Sequence, residues 1–141
     1  MNLKLREIMA HDIETVSPDA TLQQTAEKMK TRNVGVLPVI EGANVVGIIT
    51  DRDVTLRAVA TGVDVTKTKV GDFMTRNPAC TYEDQTINDA CQLMEQKKVR
   101  RLIVLNRDGK LAGVVSLNDV ALKGKESERS AQVLSRITEA A

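Results

Sequence analysis

Gly47-Ile48-Ile49-Thr50-Asp51-Arg52-Asp53 returns 66 residues later as Gly113-Val114-Val115-Ser116-Leu117-Asn118-Asp119. In each stretch a short β-branched run ends in a hydroxyl residue, and an aspartate follows three positions on. Ser or Thr with an acidic residue at the third position beyond is a capping-box pattern, so both stretches read as a strand running directly into a helix. The repetition extends outward from this pair. Met9 matches Met74, Thr21 matches Thr86, Met29 matches Met94, Val34 matches Val99 and Val39 matches Val104, all at a spacing of 65. One extra residue in the second copy's turn changes 65 to 66. A repeat of this kind decides the architecture before any element is assigned.

Each copy has the same order of signals. A lead segment, residues 5–17 or 70–82, precedes a helix with apolar spacing at Leu22, Ala26 and Met29, or at Ile87, Cys91 and Met94. Thr21 with Gln24, and Thr86 with Asp89, mark the helix starts. Two β-rich runs follow, residues 34–40 and 45–50 in the first copy and 99–105 and 111–116 in the second, and then a second helix from Asp51 or Leu117. The expected unit is β-α-β-β-α. One unit cannot cover both faces of its small sheet, so the expected fold is α/β, with two pseudo-twofold repeats packed sheet against sheet around a ligand cleft. The boundaries read as repeat 1 at 5–61, a polar linker at 62–70, repeat 2 at 71–123, and a tail at 124–141. That tail is either a short amphipathic helix through Val133, Leu134 and Ile137 or frayed chain.

Composition narrows the chemistry. The chain has 141 residues, 42% hydrophobic and 28% charged, with 20 basic against 19 acidic side chains, so its charge names no polyanionic partner. With no Trp, one Phe and one Tyr, it lacks the stacking platforms that bind single-stranded nucleic acid, and a bound purine must lie between aliphatic groups and backbone. No apolar run approaches the roughly 20 residues that span a bilayer, and residues 1–12 are too charged for a signal peptide. No membrane association and a cytoplasmic location are expected. Cys80 and Cys91 have no CxxC spacing and read as reduced core residues, His11 has no ligand-spaced partners, and the methionines fill core. Pro38 and Pro78 mark strand edges and turn entry. With no GxSxG, Walker loop or paired His, the chain reads as non-catalytic.

The repeated motif has two readings. Capping alone accounts for a Ser or Thr followed by Asp at a helix start. The same geometry suits a ligand: a hydroxyl and free amides at the helix end hold a phosphate, and the aspartate accepts hydrogen bonds from a ribose diol. Two copies of hydrophobic-Met, helix, strand and Gly-x-x-Thr/Ser-x-x-Asp resemble the cystathionine-beta-synthase-type (CBS) domain family, and residues 50–62 with 99–102 look like its small stand-alone bacterial members. The resemblance spans residues 5 to 123. It implies a Bateman module, a CBS pair that binds an adenine nucleotide, AMP, ADP or ATP, with NAD and S-adenosylmethionine as alternatives. It further implies no catalytic cofactor, a homodimer, and signal transduction of metabolite state to a regulated partner protein.

The family's sites, as the resemblance transfers them, combine the two repeats. Site one joins Ile48, Thr50, Arg52 and Asp53 to Ala79, Cys80, Val99, Arg100 and Arg101. There Asp53 holds the ribose, Thr50 and Arg101 hold the phosphate, and Ile48, Ala79, Cys80 and Val99 line the adenine slot. Site two joins Val114, Ser116, Asn118 and Asp119 to Glu14, Thr15, Val34, Gly35 and Val36, with Val36 and Gly35 where site one has Arg101 and Arg100. Lacking guanidinium groups, site two ranks second. The rival reading is a structural or protein-interaction module with degenerate sites. For the dimer, Val54, Leu56, Val59, Val120 and Leu122 on the second helices are the expected contact residues.

Overall fold

The computed structural model describes residues 3–139. It contains two three-stranded sheets and two compact units: Ile13–Pro78 forms the first, and the segments up to Asp12 and from Ala79 onward form the second. The first unit runs α1 (Leu22–Arg32), β1 (Val36–Glu41), β2 (Asn44–Thr50), α2 (Asp51–Asp53, continued by a π-helical stretch Val54–Val59) and β3 (Thr75–Arg76). β1 and β2 are an antiparallel hairpin whose turn holds Gly42 at φ 63°, with Val36 opposite Thr50. β3 adds antiparallel to β2 at Gly47 and Ile48, and Val16 bridges Val39 in parallel on the far side.

The second unit repeats this plan. Its elements are β4 (Cys80–Tyr82), α3 (Ile87–Lys97), β5 (Arg101–Leu105), β6 (Leu111–Ser116), α4 (Leu117–Leu122) and α5 (Ser127–Glu139). β4 pairs parallel with β5, β5 pairs antiparallel with β6, and Ala10 bridges Val114 antiparallel, the counterpart of β3 on β2. The β-α-β-β-α order read from the sequence is observed in the second unit; in the first, the isolated bridge of Val16 to Val39 stands in the place of the opening strand.

The Met-containing lead segments do not stay with the repeat they precede in sequence. Leu5, Ile8 and Met9 are buried with Ile87, Met94, Leu102 and Val115, and Val70 and Met74 are buried with Leu22, Leu37, Val39 and Ile49. The motif glycines permit this. A Cβ on Gly113 would stand 2.5 Å from the Ala10 carbonyl oxygen and 2.9 Å from Met9 Sδ, and one on Gly47 would stand 2.6 Å from Met74 Sδ. Glycine is therefore required here by backbone approach. The same packing holds residues 62–70 in place: Val70 is fully buried, and the Leu22 and Gln23 amides donate to the Thr68 and Val65 carbonyls at 3.0 Å each.

Helices α1 and α3 start in the capping boxes read from the sequence, Thr21 with Gln24 and Thr86 with Asp89. The inward face of α1 differs from the expected one. Leu22, Thr25 and Met29 are buried, whereas Ala26 is exposed. Thr25 tolerates burial because its hydroxyl donates to the Thr21 carbonyl at 2.9 Å. In α3 the residue corresponding to Ala26, Cys91, is fully buried together with Ile87, Ala90 and Met94. The second unit has α5 to account for this. Val133 of α5 is fully buried, Ile137 packs on the same core, and Arg129 and Arg136 meet Glu95 of α3 at 3.1 and 3.0 Å. The tail is thus the amphipathic helix, although Leu134 stays 42% exposed.

Candidate functional site

Strand β2 carries Thr50 to the start of α2, where Thr50 Oγ1 accepts the Asp53 N–H at 3.0 Å and the Thr50 N–H donates to Asp53 Oδ2 at 3.0 Å. The Asp51 N–H donates to the Gly35 carbonyl at 2.9 Å and the Arg52 N–H to Asp51 Oδ1 at 2.8 Å. In the second unit the Ser116 N–H and hydroxyl both donate to Asp119 Oδ2, at 2.9 and 3.1 Å, and the Asp119 N–H donates to Ser116 Oγ at 3.2 Å. The Leu117 N–H donates to the Arg100 carbonyl at 3.1 Å. The expectation of free helix-end amides for a phosphate is narrowed: capping engages the Asp53 and Asp119 amides, and the carbonyls of Gly35 and Arg100, just ahead of β1 and β5, engage those of Asp51 and Leu117. The ligand chemistry left at each corner is a hydroxyl, one carboxylate oxygen and whatever the neighbouring strand supplies.

That supply differs between the units. In the second, β5–β6 register places Arg101 opposite Ser116, and the exposed Arg100 adjoins it. In the first, the equivalent positions are Val36, opposite Thr50, and Gly35. Arg101 and Arg100, which the sequence reading had set beside Thr50 and Asp53, thus share a unit with Ser116 and Asp119. The fixed positive charge lies in the strand pair that carries the second motif.

The remaining oxygens also differ. Asp119 Oδ1 faces Lys123 Nζ at 3.6 Å, an i,i+4 pair that its spacing signals and the sequence reading passed over. Asp53 Oδ1 has no partner among the described residues, because Arg57, four positions on, donates to the Phe73 carbonyl at 2.8 Å. Asp53 and Asp119 are both half-buried, Asn118 and Arg52 exposed, and Ile48 half-buried with Val114 buried on the strand two residues before each hydroxyl.

Glu14 is held against α1 by Lys28 and Arg32 at 3.3 and 3.2 Å, and the Thr15 carbonyl accepts from Lys28 Nζ at 2.6 Å. Ala79 and Val99 pack on the second unit's core; the Ala79 carbonyl accepts the Ile103 N–H at 3.0 Å, and Cys80 pairs with Ile103. Neither cysteine is in a disulfide, and burial raises both thiol pKa values above the ordinary range. Val34 is 40% exposed. His11 lies on the surface with Nε2 at 2.8 Å from the Arg6 carbonyl.

A profile of the CBS domain matches residues 5–59 and 70–125, so most of the chain is two copies of it. The chain belongs to the CBS domain family. This CBS pair is 35% identical over 134 residues to the CBS domain-containing protein YhcV of Bacillus subtilis, covering 95% of this chain and 94% of that one. It is 34% identical over 139 residues to inosine-5'-monophosphate dehydrogenase of Methanocaldococcus jannaschii, covering 98% of this chain but 27% of the enzyme. Among solved structures it resembles CBSX2 of Arabidopsis thaliana in complex with AMP, with a TM-score of 0.72 at 26% identity over 89% of this chain and 98% of that one.

Proposed function

We propose that this CBS pair is a non-catalytic regulatory module that binds an adenine nucleotide and passes its level to a partner protein. The observation that carries the reading is the register of β5 on β6, which pairs Arg101 with Ser116 across the hairpin, with Asp119 one helical turn on. In this reading Arg101 and Ser116 take the phosphate, and the outer oxygen of Asp119 takes the ribose diol in exchange for Lys123. The AMP complex of CBSX2 supports an adenylate as ligand.

A second reading is favoured by the open Oδ1 of Asp53. It puts the ribose on Asp53 and the phosphate on Thr50 and Arg101, with Ile48, Ala79, Cys80 and Val99 around the base. Isothermal titration with AMP separates the two. Asp119→Ala should weaken binding ten- to hundredfold, about 1.4–2.8 kcal/mol, while Asp53→Ala leaves it within about threefold. The reverse pattern moves the ligand to the first motif. Arg101→Ala should penalise AMP more than adenosine in either case, because adenosine offers the guanidinium no phosphate. If wild-type protein binds no adenine compound at millimolar concentration, the module is an interaction domain.

A homodimer and a cytoplasmic location belong to the same proposal. Leu56, Val59 and Leu122 are 48, 58 and 79% exposed, as interface side chains would be in the separate chain. Val120 leaves that set, since it is fully buried in the second unit, and Val54 packs on the first unit's core. Among the described residues no helix is long and apolar enough to cross a membrane. Light scattering at micromolar concentration reads the association, and a monomeric mass would refute the dimer.

A further inference from the structure

The turn between α4 and α5 is tied to the residue that carries the second motif's carboxylate. The Asp119 carbonyl accepts the N–H groups of Lys123 and Gly124 at 2.9 and 3.0 Å, and the Val120 carbonyl accepts that of Glu126 at 3.0 Å. From α5 itself the Ser130 hydroxyl reaches back to the Leu117 carbonyl at 3.0 Å. Gly124 is buried in the turn, where a Cβ would stand 2.8 Å from both the Val120 carbonyl oxygen and Ile87 Cδ1. Helix α5 is thus hung on α4, and α4 begins in the box formed by Ser116 and Asp119.

Lys123 stands where the two meet. It ends α4, opens the turn to α5, and sends its ammonium to Asp119 Oδ1 at 3.6 Å. The Asp119 side chain is 18% exposed, so water and salt screen this pair less than an ordinary surface pair. Oδ1 is also the oxygen that capping leaves over, since the Ser116 N–H and hydroxyl both use Oδ2. One carboxylate oxygen therefore serves either the ammonium of the turn or a ligand hydroxyl brought to the motif.

The first unit supplies the contrast. Arg57, its counterpart of Lys123, donates to the Phe73 carbonyl instead, and the chain beyond it runs into residues 62–70, which are held on α1 by the Leu22 and Gln23 amides. The Ala26 face of α1 stays exposed, so a repeat completes its core without a helix in the place of α5. The second unit alone carries both the lysine tether and the appended helix.

We infer that Lys123 couples the second motif to α5: a ligand hydroxyl on Asp119 Oδ1 displaces the ammonium and loosens the turn that holds the helix. The inference rests on the nucleotide reading at Asp119, and it makes α5 the element that reports occupancy to a partner. Ligand and docked helix oppose one another because each uses the same oxygen. Linkage makes the opposition reciprocal, so the factor by which ligand raises the opening of α5 is the factor by which loss of the tether raises ligand affinity. An i,i+4 ion pair with a partly shielded carboxylate sets that factor at about two to three.

The test is hydrogen exchange of the full chain, read by mass spectrometry over residues 127–138 with and without saturating AMP, for wild type, Lys123→Ala and Lys123→Arg, alongside isothermal titration of AMP. In wild-type protein AMP should speed exchange in α5 about two- to threefold while β5 and β6 slow or stay unchanged. Lys123→Ala should show the faster exchange without nucleotide, gain nothing further from AMP, and bind AMP tighter by the same factor. A merely structural lysine would leave the affinity alone. Lys123→Arg keeps the pair and should restore wild-type behaviour. Labelling of Cys91, fully buried with its thiol hydrogen-bonded by Arg129 of α5, should follow the same order. AMP that binds but leaves α5 exchange unchanged or slower, or Lys123→Ala that exchanges like wild type without nucleotide, overturns the inference and leaves the nucleotide reading intact. If no adenine compound binds, both fall together.

Discussion

Gly113→Ala places a methyl group where the structure has a backbone. The new Cβ would lie 2.5 Å from the Ala10 carbonyl oxygen and 2.9 Å from Met9 Sδ, whereas ordinary contact begins at 3.4 Å, so the lead segment has to retreat by about 0.9 Å. Met9 can rotate aside, but Ala10 cannot, because it is held by reciprocal hydrogen bonds with Val114 at 3.0 and 3.2 Å. Overpacking of this kind costs about 1–3 kcal/mol, and weakening two backbone hydrogen bonds adds about 1 kcal/mol each at most. The alanine returns roughly 0.5–1 kcal/mol by restricting the unfolded chain. The expected net destabilisation is about 2–3 kcal/mol. Urea titration followed by circular dichroism, without nucleotide, reads this as a lower midpoint at unchanged slope, and the melting temperature should fall by about 10 °C. Gly47→Ala is the matched case, and it should cost less because its backbone neighbour, the Thr75 carbonyl oxygen, lies at 2.8 Å rather than 2.5 Å, and the nearer Met74 Sδ at 2.6 Å can rotate aside. A loss below about 1 kcal/mol for Gly113→Ala would refute the argument that the motif glycine serves packing, and would return it to the ligand.

Three further outcomes follow from the second unit. Val133→Ala should cost about 2 kcal/mol in urea unfolding, since the side chain is fully buried between α5 and the core, while Leu134→Ala at 42% exposure should cost under about 0.5 kcal/mol. Glu95→Gln should loosen α5 by removing the acceptor charge for Arg129 and Arg136, and hydrogen exchange should rise in residues 127–138 ahead of the sheets. Asp84 has its pKa lowered below 3.8, chiefly by the paired hydrogen bonds from Arg107 at 2.9 Å. A carboxylate depressed in the folded state contributes stability above its unfolded pKa and loses it as pH falls through the folded value. Arg107→Ala should therefore flatten the fall of the urea midpoint below about pH 4 and raise the Asp84 carboxyl titration seen by NMR.

Local signals in the chain were legible because their causes are local. Thr21, Thr50, Thr86 and Ser116 cap helices through residues three positions away, and all four boxes form as read. The 65- and 66-residue spacings give the repeated β-α-β-β-α order, and β-branched runs give the strands. The same rules misassigned faces wherever a distant element decides burial. Period alone admits Ala26 or Thr25 to the core of α1. The hydrogen bond from the Thr25 hydroxyl to the Thr21 carbonyl lets Thr25 be buried, and only the second unit has an α5 to cover the Cys91 side of its helix. Val120 was misread as an interface residue for the same reason: its core is assembled from Leu5, Ile87 and Val133, which lie far from it in the chain.

The candidate site divides along the same line. Sequence alone singled out the candidate residues, the two hydroxyl-aspartate pairs and the Arg100–Arg101 run, because residue type and short spacing suffice for that. Strand pairing decided which of them stand opposite one another within a unit. Register couples residues through backbone hydrogen bonds across a hairpin, and it set Arg101 against Ser116 and Val36 against Thr50. It also decided that the lead segments cross to the other repeat, since a close approach over Gly47 or Gly113 buries Met74 or Met9 only when a whole sheet is in place to receive it.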